Sequence, residues 1–133
     1  MKKLHLFPVV IALISLISCQ ENTLTASEII YRSITAHGAD RASNARLDFT
    51  FRGIDYSVDR NEGQFIYTRE FDKDGEPVID RLDNDGFSRK VGDSLLSLSD
   101  DLVSRYTSSL NSVIYFAQLP YSLDGDAVIL ENL

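Results

Sequence analysis

Residues 46–60, RLDFTFRGIDYSVDR, alternate apolar and polar side chains, and this alternation decides the fold class. Leu47, Phe49 and Phe51 share one face of an extended segment, while the residues between them are polar or charged. Beyond Gly53 the alternation resumes in the opposite phase. A period of two predicts β-strands with one buried face. A glycine at the phase change predicts a tight turn or a bulge between two strands.

Short strands and turns continue this pattern through the middle of the chain. The turns are rich in glycine, asparagine and aspartate, and they fall at residues 61–63, 72–75, 84–86 and 92–93. Strands joined by such short turns pair with antiparallel neighbours, whereas parallel strands need a long crossover connection. The sequence therefore predicts an antiparallel meander of six short strands.

Two amphipathic helices flank the predicted strands. Residues 25–28, TASE, match a capping box and predict a helix over about residues 26–37, which Gly38 terminates. Ser99 predicts the N-cap of a second helix, whose apolar residues recur at helical spacing before Pro120. We therefore predict an α+β fold in which helices cover the apolar face of an antiparallel sheet.

A further strand is predicted near the end of the chain. Residues 127–130 are an apolar run that follows the acidic turn at residues 124–126. A strand that has no neighbour leaves its backbone groups unpaired. We therefore expect the chain to be truncated at its C-terminus, with residues 26–133 forming the N-terminal part of a single domain.

The first nineteen residues have the organisation of a secretory signal. Lys2 and Lys3 precede an almost wholly apolar segment, residues 4–17, and Cys19 is the only cysteine. A transmembrane helix needs about 20 apolar residues, so this segment is too short to span a bilayer. A positive start, a short apolar region and a small residue before the cleavage site are typical of a signal peptide.

Residues 16–19, LISC, resemble the lipobox of bacterial lipoproteins, whose cysteine is acylated and becomes the first residue of the mature protein. The resemblance implies a lipoprotein signal peptide over residues 1–18, lipidation of Cys19 and a lipidated tether over residues 19–25. Two or more acyl chains hold a protein stably on a membrane. By resemblance to lipoprotein sorting, Gln20 favours the outer membrane, with the periplasmic and surface faces both open.

The acidic composition excludes several classes of partner. The formal net charge is -7, and removal of Lys2 and Lys3 with the signal peptide makes it -9. Nucleic-acid-binding domains carry a basic footprint, and anionic lipids attract polybasic segments. We therefore expect no nucleic-acid partner and membrane attachment only through the lipid anchor, while a protein partner stays unspecified. An acylated Cys19 leaves no free thiol for a disulfide or a metal site.

Three short stretches resemble a family of uncharacterised Bacteroidetes lipoproteins that share a domain of unknown function. These are residues 49–53, 84–89 and 111–121, and the resemblance covers residues 26–128. Members of that family continue past Leu133. The family is similar in architecture to lipoprotein carriers and receptors of the LolA/LolB type, which are curved half-barrels with helices on a concave face that takes acyl chains. The resemblance implies a LolA-like half-barrel here and supplies no catalytic residues.

Aromatic side chains are the candidate ligand-binding residues. Six occupy alternate strand positions and two flank the end of the second helix: Phe49, Phe51, Tyr56, Phe65, Tyr67, Phe87, Tyr115 and Phe116. Pockets for hydrophobic ligands are lined by such residues, but aromatic stripes also fill ordinary cores. Two interpretations stay open, a lipoprotein that binds a lipid acyl chain or similar hydrophobic ligand, and a structural or interaction lipoprotein with a self-filled core.

The sequence contains no recognisable catalytic or metal motif. His37 is the only histidine after the signal peptide, and no nucleophile elbow or catalytic triad order is present. The acidic turns at residues 72–76 and 83–86 lack the distal bidentate glutamate of a calcium loop. We predict a non-catalytic protein without cofactor or metal. An enzyme stays an alternative if its site lies in missing C-terminal residues.

Overall fold

The structure is a computed structural model that describes residues 24–131. The predicted signal peptide and Cys19 lie outside the described residues. The elements follow one another as helix α1 (Ala26–Ala36), a first 3-10 helix (Ala39–Asn44), strands β1 (Arg46–Phe51), β2 (Ile54–Asn61), β3 (Gln64–Lys73), β4 (Glu76–Asp83), β5 (Gly86–Val91) and β6 (Ser94–Leu95), helix α2 (Asp100–Ala117) and a second 3-10 helix (Tyr121–Asp124).

The six strands form one antiparallel sheet in chain order, from β1 at one edge to β6 at the other. Each strand pairs with the next through a short connection, as expected for a meander. The predicted α+β fold with six antiparallel strands is confirmed. The sheet is open and does not close into a barrel.

A two-residue turn fixes the register of the first hairpin. Arg52 and Gly53 join β1 to β2 with φ angles of 54° and 75°. Positive φ at both central positions is the signature of a type I′ turn, whose twist matches that of the flanking strands. Gly53 adopts this conformation without steric cost, so it marks a tight turn and not a bulge. The same pair of positive angles recurs at Glu62-Gly63 and Asp74-Gly75.

One face of the sheet packs against α2 to form the core. The buried cluster joins β2 and β4 to the helix, and consists of Tyr56, Val58, Leu82, Leu110 and Ile114. Leu110 and Ile114 are four residues apart, which places them on the same side of α2. Their side chains are 0% and 2% exposed. The position of helix α2 therefore depends on the packing of these two side chains against the sheet.

Helix α1 packs mainly against the two 3-10 helices, so α2 is the main helical cover of the sheet. The predicted capping box of α1 is confirmed. The Glu28 amide donates to the Thr25 hydroxyl over 3.2 Å, and the Thr25 amide donates to the Glu28 carboxylate over 2.9 Å. This second bond holds the pKa of Glu28 below its ordinary value of 4.5. The two hydrogen bonds of the capping box satisfy backbone amides that have no partner within the helix at its N-terminus.

Replacing Thr25 by alanine is expected to lower the free energy of unfolding by about 1 kcal/mol. The pKa of Glu28 is lower in the folded than in the unfolded chain, so its contribution is complete above pH 4.5 and is lost as the pH falls through the folded value. The variant keeps the Thr25 amide and loses the Thr25 hydroxyl that also donates to the Glu28 carboxylate and lowers its pKa. The difference in free energy of unfolding between wild type and variant should therefore narrow in acid by the share that this hydroxyl bond contributes. Urea unfolding followed by circular dichroism measures the free energy of unfolding at each pH. Thr35→Ala in the same helix is the control, and we expect it to leave this free energy unchanged or slightly higher.

The strand predicted over residues 127–130 is wrong. Within the described residues this run pairs with no strand, and its Ile129 side chain is 86% exposed. An apolar run becomes a strand only where a neighbouring strand satisfies its backbone groups. The last predicted strand of the meander is also shorter than expected, because β6 consists of Ser94 and Leu95 alone.

Candidate ligand-binding groove

An apolar groove lies between the edge strand β1 and the C-terminal half of α2. Its volume is about 460 Å³, and its main lining residues are Phe49, Phe51, Val113, Phe116 and Ala117. The sheet side comes from alternate residues of β1, which point to the same face. The helix side comes from residues three or four positions apart, which lie on one side of α2.

Two large aromatic side chains of the groove are exposed to solvent. Phe51 is 44% exposed and Phe116 is 69% exposed. Tyr115 is 37% exposed and its ring meets that of Phe116 edge-on, with 5.4 Å between the ring centroids. Single exposed apolar residues are common on protein surfaces, but several that line one concave site indicate a binding surface.

The floor of the groove is continuous with the core. The ring of Phe49 stacks on that of Tyr56, with 5.2 Å between centroids and 8° between planes. Tyr56 is only 4% exposed, and Val113 packs against the same buried cluster. Offset stacking of this kind fixes the orientation of both rings. The floor is therefore preformed, while Phe51 and Phe116 form the open rim.

Three of the predicted ligand-binding aromatics, Phe49, Phe51 and Phe116, line this groove, and Tyr115 flanks it. The other four pack within the fold. Tyr56 belongs to the buried core. The rings of Phe65 and Tyr67 contact each other at 4.7 Å between centroids. Phe87 packs against Tyr106 of α2 at 6.0 Å.

A charged cluster lies within the apolar interface between the sheet and α2. The carboxylate of Asp80, 0% exposed, accepts hydrogen bonds from Arg69 Nε at 2.6 Å and from Arg89 Nε at 2.5 Å. Arg69 Nη1 also donates to Ser109 Oγ of α2 at 2.9 Å. The Arg89 guanidinium lies 3.6 Å from the ring centroid of Tyr106. The hydrogen bond to Asp80 raises the pKa of Arg89.

The strand register explains how these charges meet. Tyr56 is opposite Arg69, Arg69 is opposite Asp80, and Asp80 is opposite Arg89. Side chains opposite one another on the same face of a sheet lie within contact distance. Sequence reasoning missed this cluster. The available signal was the alternation of side chains along the strand. Asp80 is two residues from the inward-facing Val78, so both side chains lie on the inner face of the sheet.

The charged cluster positions the helix wall of the groove without lining the groove itself. Buried Tyr56 stands between Arg69 and Phe49 along the row of opposite residues. The contacts to Ser109 and Tyr106 hold the middle of α2 on the sheet, and the groove begins about one helical turn beyond Ser109. The docking of α2 through this cluster therefore sets the separation between α2 and β1.

Residues 24–131 contain no group of three or more histidine, cysteine, aspartate or glutamate side chains arranged to hold a metal ion. None of the helices over these residues has the length and apolar character required to span a bilayer.

Comparison with known proteins gives one match. No curated protein and no solved structure is significantly similar to the chain. One family model, described as a family of unknown function (DUF6503), matches residues 4–133. Because this match includes all of the described residues and nearly all of the chain, the protein belongs to the DUF6503 family of unknown function.

Proposed function

We propose that this protein is a lipoprotein, anchored to the outer membrane through Cys19, that binds a hydrophobic ligand without catalysing a reaction. The ligand is a lipid acyl chain or a chain of similar shape, and it lies in the groove between β1 and α2. The observation that carries the proposal is the pair of exposed rings, Phe51 and Phe116, at the rim of a preformed apolar groove.

The size and lining of the groove suit an extended apolar chain. Its volume of about 460 Å³ falls within the range of roughly 300–1,000 Å³ typical of small-molecule sites. Burial of apolar surface supplies about 25 cal/mol for each Å² removed from water. An acyl chain would cover the rim rings and gain this energy without requiring directional contacts.

The N-terminal sequence supports a location beside lipid. The lipobox-like residues 16–19 would place the folded domain a short tether away from a membrane surface. The resemblance of residues 49–53, 84–89 and 111–121 to a family with LolA/LolB-like architecture suggests the same ligand class. The open antiparallel sheet with α2 on one face is compatible with that architecture.

A structural or interaction lipoprotein is the second candidate. Tyr56, Phe65, Tyr67 and Phe87 pack within the fold, which favours a self-filled core over most of the sheet. The two functions differ in one respect. A structural lipoprotein has no need for a groove that admits an acyl chain, whereas a lipid-binding protein loses its function when the groove is blocked.

Replacing Phe116 by aspartate is expected to reduce labelling of the groove by a photoactivatable hexadecanol at least about tenfold, because an unpaired carboxylate at the rim opposes entry of an apolar chain. The full chain, reconstituted in lipid nanodiscs, is irradiated with the probe. Peptide mass spectrometry then measures labelling of residues 111–117, which carry the helix side of the groove.

Tyr31→Asp is the matched control, because Tyr31 is an aromatic residue on α1 that is 71% exposed, against 69% for Phe116. We expect this variant to be labelled like the wild type. Absence of groove labelling in the wild-type chain would contradict the proposed function. Equal labelling of the wild type and both variants would show that the probe does not enter at Phe116.

A further inference from the structure

A second concavity adjoins the groove at Ala117, which lines both. It has a volume of about 420 Å³ and lies between the first 3-10 helix and the end of α2. Leu47 lines this concavity and Phe49 lines the groove, and these alternate residues of β1 share one face. The two spaces therefore lie side by side along the sheet edge, where Leu47 and Phe51 are about 13 Å apart. We name the two spaces together the edge channel.

The concavity has an arginine without a carboxylate partner at its wall. Arg41 Nη2 lies above Gly38, and a Cβ added to that glycine would stand 3.5 Å from it. Both residues line the concavity. Arg41 is exposed and makes no ion pair or side-chain hydrogen bond with any of residues 24–131. Its guanidinium is free to bind an anion.

A second arginine borders the same space. The Arg60 amide donates to the carbonyl oxygen of Ala45, and the Arg60 guanidinium lies 5.3 Å from the ring centroid of Tyr121. Ala45 and Tyr121 both line the concavity. Arg60 donates through Nε and Nη2 to the hydroxyl of Tyr67 at 2.8 and 2.5 Å. No carboxylate among the described residues pairs with it.

Two buried polar atoms at this end of the channel have no partner among the described residues, Arg60 Nη1 and Gln118 Oε1. Gln118 lines the concavity beside Tyr121. Buried polar atoms in native proteins almost always have a hydrogen-bond partner, such as a water molecule or a ligand. Arg60 Nη1 therefore lacks the partner that such a buried donor normally has. The Gln118 amide presents an NH₂ donor in place of its oxygen when it rotates.

Four of the nine arginines in residues 24–131 have no carboxylate within 4 Å, and these are Arg32, Arg41, Arg52 and Arg60. Five arginines each lie within 4 Å of a carboxylate: Arg46, Arg69, Arg81, Arg89 and Arg105. Arg46 also lines the concavity, but Asp48 pairs with it and Asp59 lies nearby. His37 Nδ1 is hydrogen-bonded to the carbonyl oxygen of Ser33. Among residues 24–131, Arg41 and Arg60 are thus the cations beside this concavity that have no carboxylate within 4 Å.

We infer that the edge channel binds a long-chain fatty acid as its anion. The acyl chain lies along Phe49, Phe51 and Phe116, and the carboxylate binds Arg41 and Arg60. A guanidinium and a carboxylate match in geometry and form charge-assisted hydrogen bonds. The inference rests on the proposed function, because it adds the head group to the acyl chain already placed in the groove.

The test compares photoactivatable palmitate with the photoactivatable hexadecanol used above, on the full chain in nanodiscs. We expect palmitate to label residues 111–117 about tenfold more than the alcohol, which is the difference expected of one charge-assisted hydrogen bond. Arg41→Gln combined with Arg60→Gln should abolish this preference, so that palmitate and the alcohol label residues 111–117 equally. Arg32→Gln combined with Arg105→Gln removes the same charge from exposed helix positions and should keep the preference.

The outcomes separate the two proposals. Equal labelling of the wild-type chain by palmitate and hexadecanol would overturn the fatty-acid inference and leave acyl-chain binding intact. Absence of labelling by both probes would overturn the proposed function. If the double variant fails to fold, the Arg41→Gln variant alone is compared with the wild type, because Arg41 is exposed and forms no ion pair with residues 24–131. A preference that survives in that single variant would exclude Arg41 as a carboxylate ligand.

Discussion

Replacing Asp80 by asparagine is expected to lower the free energy of unfolding by about 3–5 kcal/mol. The change keeps the shape of the side chain and removes its negative charge. Arg69 and Arg89, with side chains 8% and 11% exposed, would then face each other without a counter-ion. Breaking a buried ion pair from one side is far more costly than losing a surface pair, because the remaining charge stays away from water.

Asp48→Asn is the matched control for this prediction. Asp48 pairs with Arg46, but these side chains are 57% and 64% exposed. Exposed ion pairs are screened by solvent, and their loss has little effect on stability. Urea unfolding of the full chain, followed by circular dichroism, measures both variants. Equal losses in the two variants would contradict the burial of the charged cluster.

Loss of the Asp80 charge should also affect the groove. Arg69 connects Asp80 to Ser109, and Arg89 lies against Tyr106, so two contacts between the sheet and α2 depend on this carboxylate. If α2 shifts, the helix side of the groove moves away from β1. We therefore expect Asp80→Asn to weaken labelling by hexadecanol even where the chain remains folded.

The elements of the fold are readable from the sequence because each has a strong local signal. Alternation over residues 46–60 predicts β1 and β2, and glycine at positions 53, 63 and 75 marks the hairpins. The capping box at residues 25–28 predicts the start of α1. These signals act within a few residues of one another, so no knowledge of tertiary structure is needed.

The groove and the charged cluster depend on longer-range geometry. The helical period of α2 predicts that Val113 and Phe116 are on neighbouring positions of its surface, but it does not predict that they lie beside β1. In the same way, the alternation of side chains along β4 places Asp80 on the inner face, whereas its contact with Arg69 depends on the register of the β3–β4 hairpin. Tertiary packing also decides which aromatic residues fill the core and which form the rim.

The apolar run at residues 127–130 illustrates the opposite error. Its composition favours a strand, and the prediction used composition alone. Strand formation requires hydrogen bonds to a neighbouring strand, and the free edge at β1 does not receive this run in the described residues. Local preference therefore indicates a strand only when the topology provides a partner.

Replacing Ile114 by alanine is expected to lower the free energy of unfolding by about 2–5 kcal/mol, because the truncation leaves a cavity between α2 and the sheet. Ile114 is 2% exposed and belongs to the buried cluster with Tyr56 and Val58. It also lies one residue from Val113 of the groove lining. The substitution removes packing and no charge, so it tests the apolar part of the α2 interface independently of Asp80.

Ile29→Ala is the control that isolates burial from residue type. Ile29 is also within a helix, but it is 54% exposed, and alanine is the better helix former. We expect its free energy of unfolding to stay close to that of the wild type in the same urea experiment. A small loss at Ile114 would mean that α2 is not held by apolar packing, and the groove would then lack a fixed helix wall. A large loss accompanied by weaker hexadecanol labelling would tie the binding of the acyl chain to the docking of α2.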